Sequence, residues 1–326
     1  LKNNYSAIIN HKKIVMDASV EIFEGYPDQI VAKIENRDRL RRSSLPSYIG
    51  NVGLELVFED LKLWQAGVLT VSFKGGNPEL HKKIADTVNE WTKYGNIHFD
   101  FGYNSSAKTF RQWSPADASH IRVGFEYAGY WSLVGTDSKD YNIAKDGDIT
   151  LNLEGFDKQL PLSWAGTALH EFGHALGFHH EHQSPEANCD FDWDKLYEYL
   201  ANSPNYWSRA KVDYNLKQLP AGGLTYSPHD KTSIMHYSFP AWMFKKAEAS
   251  TCFTSRNNEL SPMDKQMMGE AYPASRAIFE ERTNTRISNL EKILNFSELK
   301  DDSTRSYFNR HLNFLKTDKQ SLEMFK

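Results

Sequence analysis

The chain has 326 residues, 40% of them apolar and 25% charged, with a formal net charge of −4. That length can bury a proper core, and the near-neutral balance argues against nucleic acid or an anionic membrane as a dominant partner, since both select a basic excess. No apolar run reaches the roughly eighteen residues that a membrane-spanning helix needs.

Residues 1–58 are read as an N-terminal leader, a candidate pro-segment. Its start, "LKNNYSAIINHKKIVMDASV", lacks the apolar core of a signal peptide. "NRDRLRRSSLPS" at 36–47 sets four arginines beside serines and a proline, the composition of an exposed link. Beyond it the pattern is α/β. "GVLTVSF" at 67–73 alternates like a strand, and "NPELHKKIADTVNEW" at 77–91 follows as a helix. There Asn77 is placed to cap, Pro78 suits the first position, and Leu80, Ile84, Val88 and Trp91 share a face. "NIHFDF" at 96–101, "HIRVGFEY" at 120–127, "YWSLVGTDS" at 130–138 and "DITLNLEGF" at 148–156 complete a set of five short strands.

The helix "WAGTALHEFGHALG" comes next, with Ser163 as candidate cap. "DWDKLYEYL" at 192–200 reads as one more short helix, and the following stretch, rich in Pro, Gly, Ser and Tyr, as irregular packed structure. "LSPMDKQMMGEAYP" at 260–273 predicts a helix capped by Ser261, opened by Pro262 and ended by Pro273. Residues 275–326 hold no proline, and Ile287, Leu290, Ile293 and Leu294 recur at helical spacing, as do Phe308, Leu312 and Leu315. This predicts a helical C-terminal extension, an amphipathic hairpin packed on the main domain or on a neighbouring copy, with a partner-binding role as the alternative.

Residues 170–182, "HEFGHALGFHHEH", hold five of the 12 histidines. In a helix, positions 170 and 174 lie about 40° apart around the axis and one turn apart along it, so His170 and His174 can reach one metal ion. Glu171 is rotated by about 100° and reaches beside that ion, where a carboxylate can accept a proton from water. A continued helix would carry His180 out of range. Gly177 supplies the change of direction, since glycine adopts φ > 0 and ends helices in a left-handed cap. The spacing HExxHxxGxxH predicts one Zn2+ per chain on His170, His174 and His180, with an open fourth position. A closed structural site, as in a zinc-stabilised binder that captures peptides without cutting them, would take four protein ligands and no base. His179 and His182 are expected to be structural or surface residues.

With Phe178 and Glu181 in place, the stretch resembles the longer motif HExxHxxGFxHE of the astacins, zinc endopeptidases of the metzincin clan. "SIMHY" at 233–237 resembles the Met-turn of that family, and Asp230 fits the same pattern. "LWQAGVLTVSF", "YWSLVG" and "LSPMD" are weaker echoes, extending the likeness over roughly residues 60–274. The resemblance implies an α+β, metzincin-like catalytic domain over 59–274: a five-stranded twisted mixed sheet and active-site helix above an irregular lower subdomain. It implies a protein or peptide substrate, with Glu171 as general base and Met235 as hydrophobic floor under the metal. Tyr237 would be an extra zinc ligand that swings away to stabilise the transition state, and Glu181 would organise the mature N-terminus. Peptide would bind along the edge strand at Trp131, Ser132 and Leu133.

The chain also departs from the family. Astacin leaders commonly hold FxGD, whose aspartate ligates zinc in the latent form, whereas "FEGYPD" at 23–28 puts Tyr26 in that place. Asp28 could substitute, or the leader does not inhibit. Ser238 and Phe239 do not continue the family's usual Gly-Arg, so an acidic preference after the scissile bond is not carried over. Cys189 and Cys252 allow one disulfide or two buried thiols. A disulfide would accord with a secreted or exported protein, and oligomeric state is left open.

Overall fold

The computed structural model describes residues 25–43, 60–65, 67–203, 205–219, 228–295, 299, 302–317 and 325. The first part of the leader and the "SLPS" end of the expected link, residues 44–47, lie outside them. The rest of it is not an exposed link: helix α1 spans Asp28–Ser43 and turns Val31, Ile34 and Arg37 inward. An arginine enters this face because carboxylates from elsewhere in the chain meet it there, as described below.

Strand β1 (Gly67–Phe73) leads into helix α2 (Pro78–Val88), where Asn77 caps Leu80 N–H as expected. Strands β2 (Ile97–Asp100), β3 (Ile121–Gly124), β4 (Tyr130–Ser132) and β5 (Leu151–Leu153) complete the sheet, in the order β2-β1-β3-β5-β4. All pairs are parallel except β4 with β5, where Trp131 faces Asn152. β1 has the predicted extent, and the other four strands are shorter than the alternation predicted. After Ser132 the chain leaves the sheet and turns through a 3-10 segment at Gly135–Lys139.

Helix α3 (Trp164–Ala175) packs across the sheet, and Phe172 lies against Phe99 and Phe101 in the main core. Ser163 occupies its cap position without capping it, because the hydroxyl instead meets the Arg256 guanidinium at 2.5 Å. The lower half is built on α4 (Trp193–Leu200), with a second apolar cluster around Phe191, Leu196, Trp207, Phe239 and Phe244. Cys189 and Cys252 are joined by a disulfide on that cluster, with Cα atoms 5.3 Å apart. The stretch expected to be irregular holds a further helix, α5 (Arg209–Leu216), capped by Ser208.

Helix α6 (Pro262–Ala271) begins with a capping box in which Ser261 and Asp264 satisfy each other's backbone N–H groups. Two helices then form the extension, α7 (Arg276–Leu294) and α8 (Asp302–Thr317). Leu290, Ile293, Phe308, Leu312 and Leu315 close a third apolar cluster together with Leu61. Arg286 also grips Asp60 through two hydrogen bonds of 2.8 and 3.0 Å, so the extension docks on the segment that leads into β1.

Candidate active site

His170 and His174 project from α3 and are almost fully buried. The helix ends as the chain requires: Gly177 takes φ +103°, its N–H reaches His174 O at 2.8 Å, and Phe178 N–H reaches back to Gly173 O at 3.1 Å. Any side chain at Gly177 would be strained by that φ and would also meet Leu63 at 2.9 Å. The turn returns His180 to the other two histidines, with ring centroids 4.4 Å from His174 and 5.3 Å from His170.

Each imidazole is oriented through its Nδ1. His170 donates to Ile234 O at 2.7 Å, His174 to Phe178 O at 2.7 Å, and His180 to Gln183 Oε1 at 3.0 Å. Carbonyl oxygens only accept, so these contacts put the proton on Nδ1 and leave Nε2 as a lone pair. The Nε2 atoms of His174 and His180 come within 3.0 Å of each other. Burial and the neighbouring histidines hold both residues well below the usual imidazole range, hence neutral. Neutral, buried, converging imidazoles suit Zn2+, which takes nitrogen ligands at about 2.0–2.1 Å, and the three histidines have ligand atoms close enough to share one ion.

The Met-turn lies under this group. Met235 packs so tightly below α3 that a Cβ on Gly173 would fall against its Sδ. Asp264 of the α6 capping box also holds the turn, accepting from Ser233 Oγ at 2.6 Å and Ile234 N–H at 2.8 Å. Ile234 O in turn receives His170, so one carboxylate links the last helix of the catalytic unit to a histidine of the cluster. The sequence pointed to the cap at Ser261 but not to this role of Asp264.

Tyr237 is buried with its ring 4.3 Å from His180 and 5.5 Å from His170. Glu171 is wholly buried beside them. Glu181 accepts Asp230 N–H at 2.8 Å, and burial pushes its pKa up to about 7. His182 is buried, stacks on Tyr237 and donates to Asn215 O at 3.0 Å, while His179 lines the cavity behind the site.

Trp131 and Ser132 lie on the edge strand β4 and Leu133 directly follows it, and all three are covered. Gly25 N–H donates to Tyr130 O at 3.3 Å, and the Tyr26 hydroxyl donates to Ser132 O at 2.7 Å. Leu133 packs with Ile34 of α1, Ile143 and Ala144, and its N–H is spent on Thr150 O. Tyr26 is buried against Trp131 and Tyr214. Its phenol is raised well above the usual range, first by burial, then by Tyr214, Asp137 and Glu171, so it lies within electrostatic reach of the site. Asp28 is elsewhere: its carboxylate is largely exposed and pairs with Lys211 at 3.2 Å.

A mixed five-stranded sheet above a cluster of three histidines on HExxHxxGxxH defines a metzincin-type zinc peptidase. The model of the Astacin peptidase family matches residues 58–281. The solved structure of myroilysin is similar, with a TM-score of 0.55 and 34% identity over 65% of this chain and 96% of that one. The zinc protease HCE-1, a hatching enzyme of the medaka Oryzias latipes, shares 18% identity with a TM-score of 0.42, covering 64% of this chain and 94% of that one. No curated protein matches. The chain belongs to the astacin family, and it is a zinc metalloendopeptidase.

Proposed function

We propose that this enzyme cleaves peptide bonds with His170, His174 and His180 as its zinc ligands and Glu171 as its general base. The observation that carries this reading is the convergence of three imidazoles, each fixed through Nδ1, beside a wholly buried carboxylate. Zinc held there supplies a Lewis acid for the scissile carbonyl and acidifies water toward a pKa of about 7. Glu171 takes the proton of the attacking water and hands it to the leaving amine. Tyr237, packed on His180, would be an extra ligand for the zinc at rest and would share the developing oxyanion charge in the reaction. Met235 floors the histidines, and the peptide lies along β4 by strand addition at Trp131, Ser132 and Leu133. Glu171→Ala should keep about one zinc per chain and lose hydrolysis of a quenched fluorescent peptide; undiminished cleavage by that variant would remove Glu171 from the mechanism.

We further propose that residues 1–58 are a leader that keeps the enzyme latent, with 59–274 as the catalytic domain and 275–326 as an added helical extension. The contacts of Gly25 and Tyr26 with Tyr130 and Ser132 support it, because they use the carbonyls a substrate strand would need. Glu181 opens on a cavity of about 490 Å³ between the Met-turn and α7, where it can organise the new N-terminus after cleavage. The Cys189–Cys252 disulfide supports a secreted or exported protein.

A further inference from the structure

The Met-turn carries a second pair of facing imidazoles, outside the catalytic group. His236 donates through Nδ1 to Tyr237 O at 2.7 Å, which leaves its Nε2 as a lone pair, and that Nε2 lies 3.1 Å from His229 Nε2. The arrangement repeats the one between His174 and His180, where Nδ1 is also held by a carbonyl and the Nε2 atoms are 3.0 Å apart. Two nitrogens about 2.0–2.1 Å from a tetrahedral Zn2+ stand roughly 3.3 Å apart, close to the observed separation. A third donor is already at hand, because Cys252 Sγ lies within 4.8 Å of both imidazoles. His236 and Cys252 are buried and His229 is half-buried, so the group opens to solvent on one side only.

We propose that His229, His236 and Cys252 form a second site for a zinc-like divalent transition metal, closed while Cys252 is bonded to Cys189 and opened when that disulfide is reduced. A disulfide sulfur carries no negative charge to give a metal, whereas a thiolate with two imidazoles is a strong borderline-soft donor set. The opening step balances with a dithiol as reductant: its two electrons break the S–S bond, its two protons go to Cys189 and Cys252, and it leaves as a cyclic disulfide. Metal binding then releases the Cys252 proton to water.

The test uses the full chain and needs no reductant. Cys189→Ser leaves Cys252 as a free thiol, and after dialysis against micromolar zinc it should hold one zinc more per chain than the disulfide-bonded wild type. Adding His229→Ala should remove the extra equivalent. With Co2+ in place of zinc, the single variant should show a thiolate-to-cobalt charge-transfer absorption that the wild type lacks, which separates this site from the thiolate-free catalytic one. Equal stoichiometry in Cys189→Ser and wild type, no charge-transfer absorption, or its survival in the double variant would each overturn the proposal. Where Cys189→Ser does not fold, the wild-type chain reduced with a phosphine is read by the same two measurements. There the phosphine takes oxygen from water and the two thiols take its protons, and the same outcomes decide.

Discussion

Docking of α1 turns on Arg37. Its side chain is 3% exposed, with Nη1 at 2.5 Å from Asp137 and 3.4 Å from Asp140, whose side chains are 5% and 2% exposed. Both carboxylates belong to the turn after β4, so this cluster fastens the leader to the cleft edge. Burial opposes the guanidinium charge, but Asp137 and Asp38 outweigh it and hold Arg37 protonated more firmly than usual. Arg37→Ala removes the guanidinium that the buried carboxylates of Asp137 and Asp140 share. Breaking a buried pair from one side costs about 3–5 kcal/mol, and water relieves that cost once α1 lifts. The penalty therefore falls on the docked state and shifts docking by roughly two to three and a half orders of magnitude, at about 1.4 kcal/mol per tenfold. The assay is kcat/KM of the uncleaved chain on a quenched fluorescent peptide. Uncleaved Arg37→Ala should gain at least about tenfold over uncleaved wild type. After cleavage beyond α1 the two enzymes are identical in sequence, which provides the control. If uncleaved Arg37→Ala stays as inactive as wild type while α1 has become sensitive to proteases, α1 docking is not what restrains the enzyme.

Tyr237→Phe should keep its zinc and lose about 10²–10³ in kcat, the usual cost of removing one oxyanion donor; unchanged turnover would take the hydroxyl out of the reaction. His120 predicts an acid-side loss of stability. Burial first, then Lys139 and Arg111, lower its pKa from 6.5 to about 4, and its Nδ1 accepts Thr70 N–H at 3.0 Å only while unprotonated. A folded pKa below the unfolded one means the contribution is intact above about 6.5 and is lost as pH falls through about 4, by roughly 3 kcal/mol in all. Thermal melts between pH 7 and 4 should therefore fall more steeply for wild type than for His120→Asn, and equal slopes would assign the acid loss to other groups.

The catalytic sequence signal was strong because it is local. Eleven consecutive residues, 170–180, carry the three converging histidines, Glu171 and the glycine turn, and the spacing of the first two histidines is helix geometry. The caps at Asn77 and Ser261 were legible for the same reason. What could not be read depends on distant partners. Arg37 looked like part of a solvated link because nothing nearby says that Asp137 and Asp140, about a hundred residues on, will face it. Ser163 looked like a cap, and Arg256 takes its hydroxyl. Ser261 was visible as a cap, but Asp264 was not visible as its partner in the capping box, and the hold of Asp264 on Ile234, and through it on His170, needs the Met-turn folded beneath the helix.

Tyr26 and Asp28 bear on how the proposed leader would restrain the enzyme. A leader that inhibits through an aspartate on zinc competes for the metal, so its grip should depend on the ion. Among the described residues of this leader, Asp28 faces Lys211, and Tyr26 spends its hydroxyl on the Ser132 carbonyl. The hold also includes Arg37, Lys33 on Ile143 O at 2.9 Å and the apolar contacts of Ile34, and these three do not involve the histidines. A synthetic peptide of residues 25–43 should therefore bind the cleaved enzyme with the same affinity, within about twofold, whether zinc is present or has been chelated. Titration calorimetry on both forms reads this directly. A loss of tenfold or more on zinc removal, about 1.4 kcal/mol, would show that the segment reaches the metal after all and that its hold is not the strand contact and the α1 anchor alone.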